Sequence, residues 1–306
     1  MSENFSISIK SELCKGLTDL DRKYACLYGI LLFSHRFAYG EDTTLRTESK
    51  TLSQTIPHLI SSVFGNTIEY THTKNVLKDG DYSYKYIFDK DSADTMIRQY
   101  NINPIREVDL TKIDNNSISS FLAGAFLSCG SITNPNVEYH LEFSVAQELL
   151  ANDLLAILKQ YSLPFKVSVR GRYYVVYVKG SEQIEDTLTF MGAESSTLEI
   201  MNVKIFKDVQ NRLNRRSNCE KANYIRCYSA GKKQYEDIEY IENTIGIDSL
   251  PDTLKETAYI RLENPEMPLR ELIEQFNEPI SRSGLSRRLQ KLSNICSQIK
   301  DGTYCK

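Results

Sequence analysis

The feature that most constrains the fold is an internal duplication in the first two thirds of the chain. The order helix, strand, helix, strand, strand, helix is predicted twice, over about residues 21–100 and again over 117–192. Each copy begins with a largely apolar helix that contains one glycine, Gly29 in the first copy and Gly124 in the second. We therefore expect an α+β domain with pseudo-twofold symmetry, in which these two helices pack closely because glycine has no side chain.

Two short helices joined by a turn are predicted near the C-terminus, at about residues 267–300. The first helix starts at Pro268, and one of its faces carries the apolar residues Leu269, Leu272, Ile273 and Phe276. The second begins after a capping serine, Ser281 or Ser283, and its buried stripe is Leu285, Leu289, Leu292, Cys296 and Ile299. This arrangement is typical of a helix-turn-helix, whose second helix enters the major groove of DNA.

The second of these helices is basic. Residues 281–300 include five Lys or Arg residues and no Asp or Glu. The residues predicted to contact DNA lie at its start, on its far side and on its flanks: Arg282, Ser283, Ser286, Arg287, Arg288, Gln290 and Lys291. A charged, solvated helix of an all-helical domain would show the same pattern, so that alternative stays open at this point.

The distribution of charge resolves an apparent conflict with DNA binding. The chain has 37 Lys and Arg residues against 40 Asp and Glu residues, a formal net charge of −3. From Val203 onward the net charge is +3 (18 against 15), whereas the preceding part carries −6 (19 against 25). A surface that contacts phosphate needs only local positive charge.

Further phosphate contacts are predicted in two other basic places. One is a helical segment and the other is the tip of the second predicted hairpin; their basic residues are Lys204, Lys207, Arg212, Arg215, Arg216, Arg170 and Arg172. The alternative for the hairpin is that its arginines simply lie in solvent at the tip of a structural domain.

Composition excludes several classes of protein. Hydrophobic residues make up 41% of the chain and charged residues 25%, which indicates a globular protein, and 306 residues leave room for two or three domains. No apolar run approaches the roughly 18 residues of a membrane span, and the first residues lack the apolar core of a signal peptide. The seven cysteines show no CxxC spacing and the four histidines do not cluster with them, so we expect a cytoplasmic protein without a metal site or cofactor.

Three stretches together resemble one family. FLAGAFLSCGSITNP followed by EYHLEF, then NRRSNCEKAN, then LPDTLKETAYIRLENPEMPLRELIEQFNEPISRSGLSRRLQKL are similar, in this order, to motifs of the WhiA family of bacterial sporulation and cell-division regulators. The resemblance extends over nearly the whole chain. It implies a duplicated domain of the LAGLIDADG homing-endonuclease type, αββαββα in each copy, followed by an all-α domain with a helix-turn-helix similar to the promoter-reading region 4 of sigma factors.

The resemblance also implies that nuclease chemistry has been lost. Leu27–His35 aligns with the first LAGLIDADG motif and Leu122–Gly130 with the second. In the cleaving enzymes, an acidic residue at the eighth position of each motif holds a divalent metal ion, but here these positions are Ser34 and Cys129. Hard divalent ions bind carboxylates and other oxygen ligands, so we expect neither a metal site nor cleavage.

The helix-turn-helix departs from the family pattern at Ser286 and Arg287, which stand where the family commonly has Asn-His. Both are predicted to meet base edges, and an arginine that pairs with guanine contributes roughly 1–3 kcal/mol of discrimination. Arg282, Arg288 and Lys291 are predicted to contact phosphates, which fix the register of the protein on DNA.

The resemblance implies a regulator that binds double-stranded DNA at promoter regions, including that of its own gene, and that associates with the nucleoid in the cytoplasm. A second regulatory protein is an alternative partner; no membrane or small-molecule substrate is expected. The alternative function is a protein-interaction or nucleoid-scaffold role with weak DNA affinity, and an active homing-type endonuclease is the least favoured. The expected domains are 1–192, a basic linker helix at 193–220, and the DNA-binding domain at 221–306.

Overall fold

The computed structural model describes residues 5–34, 37, 43–77 and 82–304 of the chain. The chain forms two compact units, Met1–Lys207 and Asp208–Lys306. The domain boundaries predicted at residues 192 and 220 stay predictions.

The described residues form α-helices and β-strands within the following bounds. The helices are α1 (Phe5–Lys15), α2 (Leu20–Phe33), α3 (Lys50–Phe64), α4 (Lys90–Tyr100), α5 (Ile118–Cys129), α6 (Glu148–Gln160), α7 (Ser181–Met191), α8 (Glu194–Thr244), α9 (Asp252–Glu263), α10 (Leu269–Leu272) and α11 (Arg282–Lys300). The strands are β1 (Thr44–Thr47), β2 (Tyr70–Val76), β3 (Tyr82–Phe88), β4 (Gly130–Ile132), β5 (Leu141–Val145), β6 (Lys166–Arg170) and β7 (Tyr173–Val178). Short 3-10 turns cover Leu110–Lys112, Asn115–Ser117, Ile247–Ser249 and Ile273–Gln275.

The first unit contains the predicted duplication. The second copy runs α5, β4, β5, α6, β6, β7, α7, and its antiparallel sheet has the order β4-β5-β7-β6. The first copy contributes α2, β1, α3, β2, β3 and α4, with the antiparallel order β1-β3-β2. Within the described residues, the order β1-β3-β2 of the first copy therefore matches β5-β7-β6 of the second, and the α+β class predicted from the sequence is confirmed.

The two glycine-containing helices pack directly against each other. A Cβ atom added at Gly29 would lie 2.3 Å from the carbonyl oxygen of Phe121, and one added at Gly124 would lie 2.1 Å from that of Cys26. Only hydrogen atoms fit in these gaps, so the backbones of α2 and α5 touch. Both helices are buried in one continuous apolar core of the first unit, as predicted.

Strand β4 is absent from the order helix, strand, helix, strand, strand, helix that the residue pattern predicts for each copy. A three-residue strand is too short to show the alternation of apolar and polar residues by which strands are recognised. Residues 35–36 and 38–42, between α2 and β1, lie outside the described residues.

Helix α8 is continuous over Glu194–Thr244, so the segment NRRSNCEKAN is helical along its whole length. The second unit is all-helical in its described part, and its core is built by α8, α9, α10 and α11; the fully buried apolar residues include Ile241, Ala258, Leu272 and Leu285. None of the helices in the described ranges combines the length and apolarity needed to cross a membrane.

Candidate nucleic-acid interface

The first helix of the helix-turn-helix is shorter than predicted. It comprises one α-turn, α10, followed by the 3-10 turn Ile273–Gln275, and Phe276 already has an extended backbone. Pro268 is the residue before the helix, and its carbonyl accepts the first helical hydrogen bonds. The prediction was too long because Ile273 and Phe276 are three residues apart, a spacing that is also the repeat of a 3-10 helix. The residues of the predicted apolar face still pack into the second core.

The second helix, α11, is the predicted one. The Ser281 hydroxyl caps it by accepting a hydrogen bond from the Gly284 N–H at 3.1 Å. Leu285, Leu289, Leu292 and Cys296 are buried, and Ile299 packs against the same core. In its second half, Ser293 donates a 2.7 Å hydrogen bond to Asp237 of α8. The helix is therefore held along its apolar side, and its basic side faces outward.

Six of the seven predicted contact residues on α11 are exposed: Arg282, Ser283, Ser286, Arg287, Gln290 and Lys291. No ion pair of Arg282, Arg287 or Lys291 is found with any residue in the described part of the chain. Gln290 donates to Asn294 on the same helix at 3.1 Å, so this amide is pre-oriented on the exposed face.

Arg288 differs from the others because it is half-buried and has partners on α9. Its guanidinium lies 3.6 Å from a Glu256 carboxylate oxygen, donates to the Thr253 carbonyl at 3.4 Å, and stands over the Phe276 ring. Arg288 thus attaches α11 to its neighbours, and its contact with phosphate stays a prediction.

The predicted contacts on α8 divide into paired and unpaired groups. The Lys204 ammonium lies 3.2 Å from Glu182, and the Lys207 ammonium donates to the Pro135 carbonyl at 2.7 Å. Arg216 pairs with Glu220 at 2.9 Å, although both side chains are largely exposed. Arg212 and Arg215 are exposed and make no ion pair with a described residue. Of the phosphate contacts predicted on α8, Arg212 and Arg215 are therefore the most available to DNA.

Arg170 and Arg172 lie where the prediction put them, on either side of the hairpin turn at Gly171. The glycine has φ +62°, a left-handed conformation that favours this residue. Arg170 is 3.3 Å from Glu142, whose other carboxylate oxygen lies 2.8 Å from the His140 ring. This carboxylate offsets the charge of Arg170, which leaves Arg172 as the freer cation of the hairpin.

The two lost acidic positions lie at the C-terminal ends of the central helices. Ser34 caps α2, and Cys129 is the last residue of α5. Burial raises the pKa of the Cys129 thiol to about 12, so the thiol is neutral at physiological pH. Neither side chain offers the carboxylate oxygens that hard divalent ions require.

Two cations stand beside these positions, Arg106 next to Ser34 and Lys10 next to Cys129; we call them the neighbouring cations. The buried guanidinium of Arg106 donates to the carbonyls of Leu32, at 3.0 Å, and of Ser34. Lys10 interacts electrostatically with Cys129, and burial lowers the pKa of its ammonium group. A divalent ion would meet two positive charges here, so the site does not fit the metal ions of the cleaving enzymes. The described residues contain no cluster of three metal-binding side chains.

Sequence reasoning missed both neighbouring cations. Arg106 is 72 residues from Ser34 along the chain, and it lies between the two predicted copies. Its backbone is left-handed, with φ +56°, but the sequence does not indicate this conformation.

Comparison with known proteins agrees with the two units. Residues 118–210 match the family model of the WhiA LAGLIDADG-like domain, and residues 213–296 match that of the WhiA C-terminal HTH domain. A protein of Clostridium botulinum named "Probable cell division protein WhiA" is 32% identical over 98% of this chain and 99% of its own length. Its counterpart in Clostridium tetani is 31% identical over 98% of this chain and all of its own length.

A solved structure agrees as well. Full-length WhiA from Thermotoga maritima superposes with a TM-score of 0.56 at 24% identity, over 97% of this chain and 99% of that one, a likeness that concerns the fold. The relatives that align from end to end, together with a matching fold, establish that this chain belongs to the WhiA family.

Proposed function

We propose that this chain is a sequence-specific regulator of transcription that binds double-stranded DNA through α11. The observation that carries the proposal is the exposed face of this helix, where Arg282, Arg287 and Lys291 lack ion pairs with described residues and no carboxylate occurs between positions 281 and 300. Since the opposite side is buried against α9 and α10, the cationic side is the one available to a major groove.

The contacts divide by chemistry. Arg287 and Ser286 point from the exposed side towards base edges, where arginine pairs with guanine through two hydrogen bonds. Arg282 and Lys291 contact phosphates and set the register of the helix. Arg212, Arg215 and Arg172 add phosphate contacts whose strength is independent of base sequence.

The biological role follows from the family. Relatives bear the name cell division protein, and we infer that this chain acts at promoter regions, including its own, in control of sporulation or cell division. This role implies a cytoplasmic protein associated with the nucleoid.

We further propose that the LAGLIDADG-like domain is a scaffold without nuclease activity. The absence of carboxylates at Ser34 and Cys129 supports this proposal, as do the neighbouring cations. Phosphodiester cleavage of this type needs metal ions bound at those positions.

A second candidate function is protein–protein interaction, which one observation favours. Large apolar side chains on α8, Leu198, Ile205 and Phe206, are 61–63% exposed. Apolar surface of this kind marks sites of association. The partner would be another regulatory protein, and DNA affinity would then be weak.

The two candidates differ in how binding responds to salt. The test is fluorescence anisotropy of the full chain with a labelled duplex from upstream of its own gene, and with a random duplex of equal length, over a salt series. The proposed function predicts tighter binding to the first duplex and a logarithmic slope of about −0.9 for each phosphate contacted. Absence of binding, or equal affinity for both duplexes, would contradict sequence-specific recognition and favour the second candidate.

A further inference from the structure

A cavity of about 520 Å³ lies within the second unit, between α8, the segment that joins α9 to α10, and the start of α11. Four arginines line it, Arg226, Arg261, Arg270 and Arg282. Its lining contains no Asp or Glu, and none of these arginines makes an ion pair with a residue in the described ranges. The cavity therefore concentrates positive charge that the protein itself does not neutralise.

Arg261 is the central member of this group, because it is only 1% exposed. One terminal nitrogen, Nη1, donates to the carbonyls of Asn264 at 3.1 Å and Met267 at 2.8 Å. Its Nε atom is buried and has no hydrogen-bond partner. A buried, unpaired donor on a charged group costs more than an ordinary unmade hydrogen bond, so an acceptor at this point would stabilise the unit.

The lining of the cavity contains a second buried polar atom without a hydrogen-bond partner. The side-chain amide of Gln234 lines the same cavity, and its oxygen is buried without a partner. Rotation of this amide by half a turn would exchange the oxygen for an NH₂ group, which can donate to an anionic ligand. Gly231 lets the Pro265 carbonyl approach within 2.4 Å of where a Cβ would stand, so any larger residue would push the cavity wall out of place.

We propose that this cavity binds a phosphate group, with Arg261 as the buried anchor and Arg226, Arg270 and Arg282 as the outer ligands. Arginine suits this ligand because its planar guanidinium forms paired, charge-assisted hydrogen bonds with phosphate oxygens. The phosphate comes either from the backbone of bound DNA or from a free phosphate-bearing small molecule. The volume is within the range of small-molecule sites, roughly 300–1,000 Å³.

The cavity is connected to DNA recognition through Arg282. This residue lines the cavity and is also the first residue of α11. A phosphate that engages Arg282 fixes the start of the helix that we propose enters the major groove. In the case of a free ligand, occupancy would change DNA affinity, and the site would act as an effector site.

The first experiment titrates inorganic pyrophosphate into the DNA-free full chain by calorimetry, at an ionic strength held constant with potassium chloride. The cavity variant is Arg226→Gln/Arg270→Gln, since both side chains are exposed and their replacement leaves the core intact. The control variant is Lys90→Gln/Lys159→Gln, which removes the same charge from exposed positions of the first unit. We expect saturable binding that weakens about tenfold or more in the cavity variant alone.

The second experiment identifies the source of the phosphate. The affinity of each protein for a random duplex is measured over a salt series, with and without pyrophosphate. A salt slope that is smaller by about two in the cavity variant, with competition by pyrophosphate, assigns the cavity to the DNA backbone. Pyrophosphate binding that depends on the cavity, with an unchanged slope, assigns it to a free ligand.

The proposal is overturned if the cavity and control variants match the wild type in both experiments. The pyrophosphate titration involves no DNA, so its outcome is separate from that of DNA recognition by α11.

Discussion

Replacement of Gly29 by alanine tests the close packing on which the first unit is built. The added Cβ would lie 2.3 Å from the Phe121 carbonyl oxygen and 2.8 Å from the Ala125 amide nitrogen. Both are backbone atoms within a helix, so neither can rotate away. The helices α2 and α5 would have to separate by about 1 Å, a gap that forfeits a quarter to a half of the dispersion energy of each contact across the interface.

The cost follows from this separation. Overpacked cores lose typically 1–3 kcal/mol, and a backbone contact that cannot relax belongs at or above the upper end of that range. The higher helix propensity of alanine offsets roughly 1 kcal/mol of this loss in stability. We expect Gly29→Ala to lower the free energy of unfolding of the first unit by about 2–3 kcal/mol.

Hydrogen–deuterium exchange of the full chain resolves this effect by segment. Protection of α2 and α5 peptides should fall by roughly thirty- to a hundredfold or more, whereas α11 peptides should be unaffected. Gly16→Ala is the matched control, because the nearest atom to its added Cβ is 3.7 Å away.

The double variant Gly29→Ala/Gly124→Ala should lose less free energy of unfolding than the sum of the losses in the two single variants, since one separation of the helices relieves both contacts. Equal protection in the Gly29 and Gly16 variants would refute the packing argument.

Three further predictions concern other parts of the chain. The Glu12 carboxylate accepts hydrogen bonds from two serines at the start of α8; burial raises its pKa, but these bonds lower the pKa by more. The wild type should therefore have a higher free energy of unfolding than Glu12→Gln above pH 4.5, and urea unfolding should show that this difference shrinks as the pH falls below 4.5. Ser281→Ala removes the cap of α11 and should lower the free energy of unfolding of the second unit by about 1 kcal/mol; an unchanged urea midpoint would contradict the cap. Ser34→Asp/Cys129→Asp should not nick supercoiled plasmid with magnesium, because the neighbouring cations would pair with the new carboxylates; efficient nicking would show that the metal site is intact.

The fold could be predicted where the sequence carries a local pattern. The repeat and its two glycines indicated the central helix pair, which the structure confirms. The spacing of leucines identified the buried side of α11 and hence its exposed side. The length of α10 was wrong because an apolar stripe of three-residue spacing does not distinguish a 3-10 turn from an α-helix.

The candidate site could be predicted only in part, because several of its features depend on contacts between distant segments. The partners of Arg288 on α9 are 32 and 35 residues away along the chain, and no local pattern indicates that this arginine forms contacts within the protein. Arg106 and Lys10 reach the ends of the central helices from outside the motifs. The burial of Arg261 likewise results from tertiary packing, and a single arginine in a helical sequence gives no sign of it.

The most direct test of DNA recognition by α11 is a gel-shift titration of the Arg287→Ala/Lys291→Ala variant against DNA from upstream of its own gene and against random DNA. Both side chains are exposed and lie away from the core, so the variant should fold normally. Lys90→Ala/Lys159→Ala serves as the control of equal charge. We expect the α11 variant to lose preferential binding to the upstream DNA while the control retains it. Preferential binding that persists in the α11 variant would show that recognition lies on another surface.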